Sequence, residues 1–233
     1  MYARTVKDAE LEFGVSGSLW RDALVVYDRS TGSLWSQVTG RSIQGPMKGR
    51  ILKHIASVVT TLGDWKRAHP DTLVLKQPSR VGNPYERYES SPDRMGVLDT
   101  RNPDPRLPGK DVVLGVRLGE TQAAYSLERL RKEPILNDVL GGKPVLVLLD
   151  PSGESGRAFS RRAKGKILTF ESAGGDNFNL LRDKETGSLW EPSTGEAVQG
   201  PRKGSRLEPL VSLRAYWFAW RTFFPSTELW KEE

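Results

Sequence analysis

Asp28-Arg-Ser-Thr-Gly-Ser-Leu-Trp35 and Asp183-Lys-Glu-Thr-Gly-Ser-Leu-Trp190 are the stretches on which the fold turns: both run from an aspartate to Thr-Gly-Ser-Leu-Trp, 155 positions apart. Self-similarity at a fixed displacement reveals the building unit before any single element is assigned. With the displacement held and no gaps, Gly40 meets Gly195, Gln44-Gly45-Pro46 meets Gln199-Gly200-Pro201, and Lys48 and Gly49 meet Lys203 and Gly204. Leu52 meets Leu207, Ser57 meets Ser212, Trp65 meets Trp220, Pro70 meets Pro225 and Thr72 meets Thr227. There are seven tryptophans in 233 residues, so two pairs of them in register rule out coincidence as the explanation.

Each unit reads physically in the same way. Ala23 to Tyr27 and Phe178 to Arg182 are strand-like, and Asp-x-x-Thr-Gly supplies the side-chain hydrogen bonds and positive-φ tolerance of a tight reversal. Ser-Leu-Trp starts the return strand. Thr39-Gly40 and Thr194-Gly195 make the next turn, and Gln-Gly-Pro-x-x-Gly makes another, where proline blocks ladder pairing and glycine absorbs awkward dihedrals. A short helix follows, expected to be capped by Ser57 or Ser212. It carries Val58, Leu62 and Trp65, or Leu213, Trp217 and Trp220, on one face and stops near Pro70 or Pro225. The expected fold is α+β, mainly β: two pseudo-symmetric halves of antiparallel hairpins, each closed by a short Trp-bearing helix.

Upstream the match continues with a two-residue shift: Tyr2, Arg4, Lys7, Leu11 and Phe13 meet Phe159, Arg161, Lys164, Leu168 and Phe170. The second copy is preceded by Pro144 to Asp150, whose Val-Leu-Val-Leu-Leu run reads as a buried strand. The first copy has no residues left to supply a counterpart. An unfilled strand position leaves an open edge, which invites pairing with another chain. The organisation is then 1–75 as the first repeat unit and 76–111 as an irregular Pro-rich connection, followed by 112–143 as an insert and 144–233 as the second repeat unit. In the insert, Val112 to Leu118 reads as a strand, and Ser126 to Lys132 as a short helix with Leu127 and Leu130 on one face.

Composition narrows the chemistry. Cysteine is absent, which removes disulfides, thiolate metal sites, iron–sulfur clusters and cysteine nucleophiles. Only His54 and His69 offer imidazole, so a multi-histidine metal site is not expected, and no cofactor is implied. EF-hand and P-loop patterns are missing. The longest apolar run, Val145 to Leu149, is too short for a membrane span. No signal peptide is legible, which makes the cytoplasm the default compartment. The net charge of +6 favours polyanions in general, and Arg157, Arg161, Arg162, Lys164 and Lys166 form a basic patch. No nucleic-acid motif accompanies it, and the alternation there reads as the solvated face of a strand pair.

Leu11-Glu-Phe-Gly-Val-Ser-Gly17, Tyr27-Asp-Arg-Ser-Thr-Gly-Ser-Leu-Trp-Ser-Gln37 and His69-Pro-Asp-Thr72 resemble stretches of the domain-of-unknown-function 3179 family. So do Arg106-Leu-Pro-Gly-Lys110, Val113-Leu-Gly-Val116 and Tyr216-Trp-Phe-Ala-Trp220. The resemblance covers nearly the whole chain. Some members are described as "(seleno)protein", and it implies no settled reaction. It also implies a Cys-Pro-Leu-Cys type segment just before the position of Met1, which this chain lacks, and Tyr-Pro where this chain has Tyr125-Ser126.

Residues demanded by both halves are explained first by the fold, which assigns Trp35, Trp190, Trp65 and Trp220 to the core and Asp28 and Asp183 to turns. The functional alternative is a ligand pocket relating the halves, with Gln44 and Gln199 as polar handles beside Trp35 and Trp190. Polar residues that break the repeat are the sharper candidates. His69 faces Phe224 and is either a helix-end partner or a ligand-binding or proton-transfer group; Tyr27 faces Arg182. Without a nucleophile–base motif, the composition argues against an enzyme and for a binding protein. The partner is then a small molecule or a protein segment, the latter by β-augmentation at the N-terminal edge. The alternatives are a thiol or selenol redox protein whose reactive segment lies outside this chain, and a nucleic-acid binder with steep salt dependence.

Overall fold

The two Asp-x-x-Thr-Gly stretches make the same hydrogen bonds. In the computed structural model, which describes all residues except 7–8, 58, 77–82, 84, 98–99, 176–178 and 232–233, Thr31 N donates to Asp28 Oδ1 at 2.6 Å and Thr186 N to Asp183 Oδ1 at 2.6 Å. Gly32 and Gly187 sit at φ 68° and 69°, a conformation that favours glycine. Both aspartates are fully buried, and each accepts an indole N–H across the turn: Trp35 Nε1 to Asp28 Oδ2 at 2.9 Å, Trp190 Nε1 to Asp183 Oδ2 at 2.8 Å. Asp28 and Asp183 are therefore more than turn formers. Each satisfies the polar end of a wholly buried tryptophan, which would otherwise carry the penalty of an unpaired donor.

Antiparallel sheets of four strands grow from these turns. The first contains Phe13–Trp20, Ala23–Asp28, Leu34–Ser36 and Ser42–Gln44, and the second Phe170–Ser172, Leu181–Asp183, Leu189–Glu191 and Glu196–Gln199. Phe13 meets Trp35 edge-on at 5.8 Å and Phe170 meets Trp190 at 5.7 Å. Gly45 and Gly200, at φ 93° and 91°, lie where an added Cβ would come 2.8 Å from the Cα of Ser33 or Ser188. Part of the Phe178 to Arg182 expectation lies outside the described residues.

The chain is mostly β, with short helices at Leu62–Ala68, Glu86–Glu89, Leu127–Leu130 and Trp217–Phe223 among the described residues. The two Trp-bearing helices start later than the serine caps imply. Thr61 caps the first, its side chain accepting from Asp64 N, and Tyr216 precedes the second without a side-chain cap. The difference has a clear cause at Ser212, whose segment Val211–Tyr216 is a strand and cannot begin a helix. Val58 lies outside the described residues.

Two compact units are present: 1–57 with 92–111 and 215–227, and 58–91 with 112–214 and 228–233. Thus helix Leu62–Ala68 groups with the second unit and helix Trp217–Phe223 with the first. In the first unit, Val6, Leu11, Trp35 and Leu52 form a core lined by Tyr2, Phe13, Val26 and Met47. In the second, strand Lys143–Leu149 lies between Gly156–Ser160 and Ile135–Leu140. Its side chains alternate between two cores. Leu146 and Leu148 pack with Phe159, Leu168, Phe170 and Trp190, while Val145 and Val147 pack with Leu114, Val116, Tyr125 and Leu136. Burial on both faces explains the unbroken apolar run. A further sheet orders Val211–Tyr216, Val112–Leu118, Thr121–Ser126 and Glu228–Leu229, the last added in parallel.

Candidate functional site

Around Phe159, strand Gly156–Ser160 is held on both sides. On one side Ser160 N donates to Glu208 O at 2.8 Å and Leu210 N to Ala158 O at 2.8 Å. On the other it pairs with Lys143–Leu149, Phe159 opposite Leu146 and Ser160 opposite Val145. Arg161 N extends that side by donating to Pro144 O at 3.0 Å. The Arg161 side chain then turns inward, 8% of the residue remaining exposed. Nε donates to Val145 O at 3.0 Å, Nη1 to Leu168 O at 3.0 Å and Nη2 to Asp138 O at 3.1 Å. Burial lowers its pKa from the ordinary arginine value, and the three carbonyl dipoles replace part of the lost hydration.

The first unit repeats the inner side of this arrangement. Ala3 N donates to Lys53 O at 2.9 Å and Ile55 N to Met1 O at 2.9 Å, and Tyr2 bridges His54 as Phe159 bridges Pro209. Leu11 N donates to Arg4 O just as Leu168 N donates to Arg161 O, both at 2.9 Å. Among the described residues no strand corresponding to Lys143–Leu149 runs along the outer side. The Arg4 side chain, 61% exposed, forms a surface ion pair with Glu10. Met1 and Ile55 present apolar side chains to solvent.

The other predicted residues are placed as follows. Trp35 and Trp190 are fully buried with their indole N–H groups engaged. Gln44 and Gln199 end strands, opposite Leu34 and Leu189, with exposed side chains. The Tyr27 ring lies over Gly14, where a Cβ would come within 2.7 Å of it, and its hydroxyl accepts from Arg29 Nη1 at 3.2 Å. His69 is the C-cap of helix Leu62–Ala68. Its backbone N–H donates to Trp65 O, and its ring lies 4.2 Å from that of Trp65, as Phe224 lies 4.2 Å from Trp220. Within the basic patch, Arg157 is turned inward like Arg161, clasping Asp150 Oδ1 and Ser193 O. Arg162, Lys164 and Lys166 are exposed on a small hairpin.

One cluster escaped sequence reasoning. Asp104 is buried and accepts from Arg106, through Nε and Nη2, and from Arg221 Nε at 2.7 Å. Arg106 also lies over the Trp217 ring, whose Nε1 donates to Asp104 O at 2.9 Å. Hydrogen bonding from Arg106, and then from Arg221, holds the Asp104 carboxyl well below the usual carboxylate range against the opposing effect of burial. Arg106-Leu-Pro-Gly-Lys110 and Tyr216-Trp-Phe-Ala-Trp220, both already singled out, contain half of these contacts. The signal was therefore present, but nothing in one sequence joined positions so far apart. This cluster fastens the end of the connection to the helix, and Tyr125, buried with its hydroxyl on Asp138 at 2.7 Å, makes a comparable tie elsewhere. Among the described residues no group of three His, Asp or Glu is placed to hold a metal ion, and no helix is long and apolar enough to cross a membrane.

The fold and these contacts define a β-rich protein of two pseudo-symmetric halves, in which one half carries a strand that has no counterpart in the other among the described residues. The chain belongs to the family described as Protein of unknown function (DUF3179), whose model matches residues 1–227. No curated protein and no solved structure matches it.

Proposed function

We propose that this is a non-catalytic binding protein that takes an apolar, extended segment of a protein partner along the outer side of Met1–Arg4. The observation that carries the reading is the contrast between Arg161, buried on the carbonyls of an added strand, and Arg4, exposed where that strand has no counterpart among the described residues. Strand addition gains affinity from main-chain hydrogen bonds and specificity from alternating side chains. The segment that fits is one like Lys143–Leu149, with leucines toward the sheet core, and Arg4 exchanges its ion pair with Glu10 for the segment's carbonyls.

The test is a titration with a peptide of the sequence Lys-Pro-Val-Leu-Val-Leu-Leu, followed by calorimetry and by amide hydrogen exchange. Binding is expected to slow exchange of the Arg4 amide by about tenfold or more. Arg4→Pro, which deletes that donor, is expected to weaken binding in the calorimetric titration by about tenfold or more. A peptide that binds with no protection at Arg4, or fails to bind at millimolar concentration, overturns the reading.

A further inference from the structure

The segment after each Trp-bearing helix offers a second contrast, independent of the Arg4 edge. In the second copy, Trp220 Nε1 donates to Thr227 Oγ1 at 2.9 Å and Thr227 N to Phe224 O at 3.1 Å. The chain then enters Glu228–Leu229, which pairs in parallel with Thr121–Ser126, Glu228 opposite Ala123 and Leu229 opposite Ala124. Trp230 N continues the ladder to Ala124 O at 3.0 Å, and Leu229 is buried.

The first copy sets up the same exit. Trp65 Nε1 donates to Thr72 Oγ1 at 2.8 Å and Thr72 N to His69 O at 3.1 Å. Leu73, Val74 and Leu75 follow, in the positions of Glu228, Leu229 and Trp230. They pair with no strand among the described residues, and Leu73 is 95% and Leu75 78% exposed. Val59, Leu62 and Trp65, which precede them in the chain, are exposed too. A three-residue apolar, β-prone run left exposed on a fixed exit is poised for a sheet edge.

We infer that Leu73–Leu75 is a docking strand that adds in parallel to the edge of a β-hairpin on a different protein. The chemistry of that edge follows from the pairing already present in the second copy: small apolar residues opposite Leu73 and Val74, as Ala123 and Ala124 stand opposite Glu228 and Leu229. A charged residue at Glu228 suits a strand with one wet face, whereas Leu73, Val74 and Leu75 are apolar on both faces and suit an apolar hairpin edge. A second copy of this chain does not meet the need through its own Thr121–Ser126, because that strand is flanked on both edges, by Val112–Leu118 and Glu228–Leu229.

The test uses a backbone-cyclised hairpin peptide carrying the Val112–Ser126 sequence, titrated into the intact chain with calorimetry and amide exchange as readouts. Exchange at residues 73–75 is expected to slow by about tenfold or more. Leu75→Pro, at an exposed position that pairs with no strand among the described residues, is expected to weaken binding by about tenfold or more by removing the donor that corresponds to Trp230 N. Failure of the hairpin to bind at millimolar concentration, or binding with protection away from 73–75, overturns the proposal. So does self-association of the chain that Leu75→Pro abolishes while the hairpin fails to bind. Protection at Arg4 by the heptapeptide without protection at 73–75 by the hairpin would leave the earlier reading standing and end this one.

Discussion

Trp65 and Trp220 occupy helices of equal length, each with its indole N–H on a threonine seven residues on and an aromatic ring 4.2 Å away. Yet Trp220 is 1% exposed and Trp65 40%. Arg4 and Arg161 repeat the lesson: the same carbonyl bond to the following strand, one side chain in solvent and one in the core. At these two pairs of positions local structure was duplicated and burial was not. Burial depends on what covers a residue, and here the covering elements differ between the two copies.

Substitutions at the paired tryptophans should break this comparison most strongly. Trp220→Ala is expected to cost about 3–5 kcal/mol, the usual range for emptying a buried tryptophan site, and Trp65→Ala about 1 kcal/mol or less. Urea unfolding followed by circular dichroism measures both, and equal losses would contradict the difference in burial. The arginines come next. Arg161→Leu strands buried carbonyls and is expected to cost about 2–4 kcal/mol, while Arg4→Leu should stay within about 0.5 kcal/mol, as befits an exposed ion pair.

Asp104 sharpens the contrast through pH. Its folded pKa is depressed, chiefly by Arg106, so its stabilisation is present above the unfolded value of about 3.9 and drains away as pH falls toward the folded one. Thermal melts of the native chain should therefore decline from about pH 4 downward, and Asp104→Asn should flatten that decline while costing about 1–3 kcal/mol at neutral pH. A variant with an unchanged acid profile would show that Asp104 contributes nothing to it. The smallest effect tests the likeness rather than the difference. Asp28→Asn and Asp183→Asn should each cost about 1–2 kcal/mol and agree closely, because each aspartate holds the same indole and threonine. Urea midpoints that differ widely between the two variants would mean that the turns are not energetically alike.

Much of the fold was legible because its deciding interactions are short. Asp28 reaches Thr31 and Trp35 within one turn, and Ser33 Oγ takes Met47 N at the Gln-Gly-Pro turn as Ser188 Oγ takes Arg202 N. The run from Val145 to Leu149 announced a strand covered on both faces, which it is. The helix starts were less legible, since serine at 212 satisfies a capping pattern that its strand overrides, and Thr61 takes the cap that serine at 57 suggests. The inward turn of Arg157 and Arg161 was invisible, because a basic run carries no mark of which guanidinium meets a carbonyl. Asp104 and Arg221, 117 positions apart, have no local signature of their pairing.

By itself the amino-acid order determined the repeated unit, its turns, its tryptophan–aspartate pairs and its helix exits, since all of these rest on contacts between near neighbours in the chain. Why Trp220 and Arg161 are covered and Trp65 and Arg4 are not was decided by tertiary structure alone. Covering depends on segments far away in sequence, such as Lys143–Leu149 over Arg161 and Thr121–Ser126 beside Leu229, and two identical local sequences differ in free energy only when such segments arrive at one and not at the other.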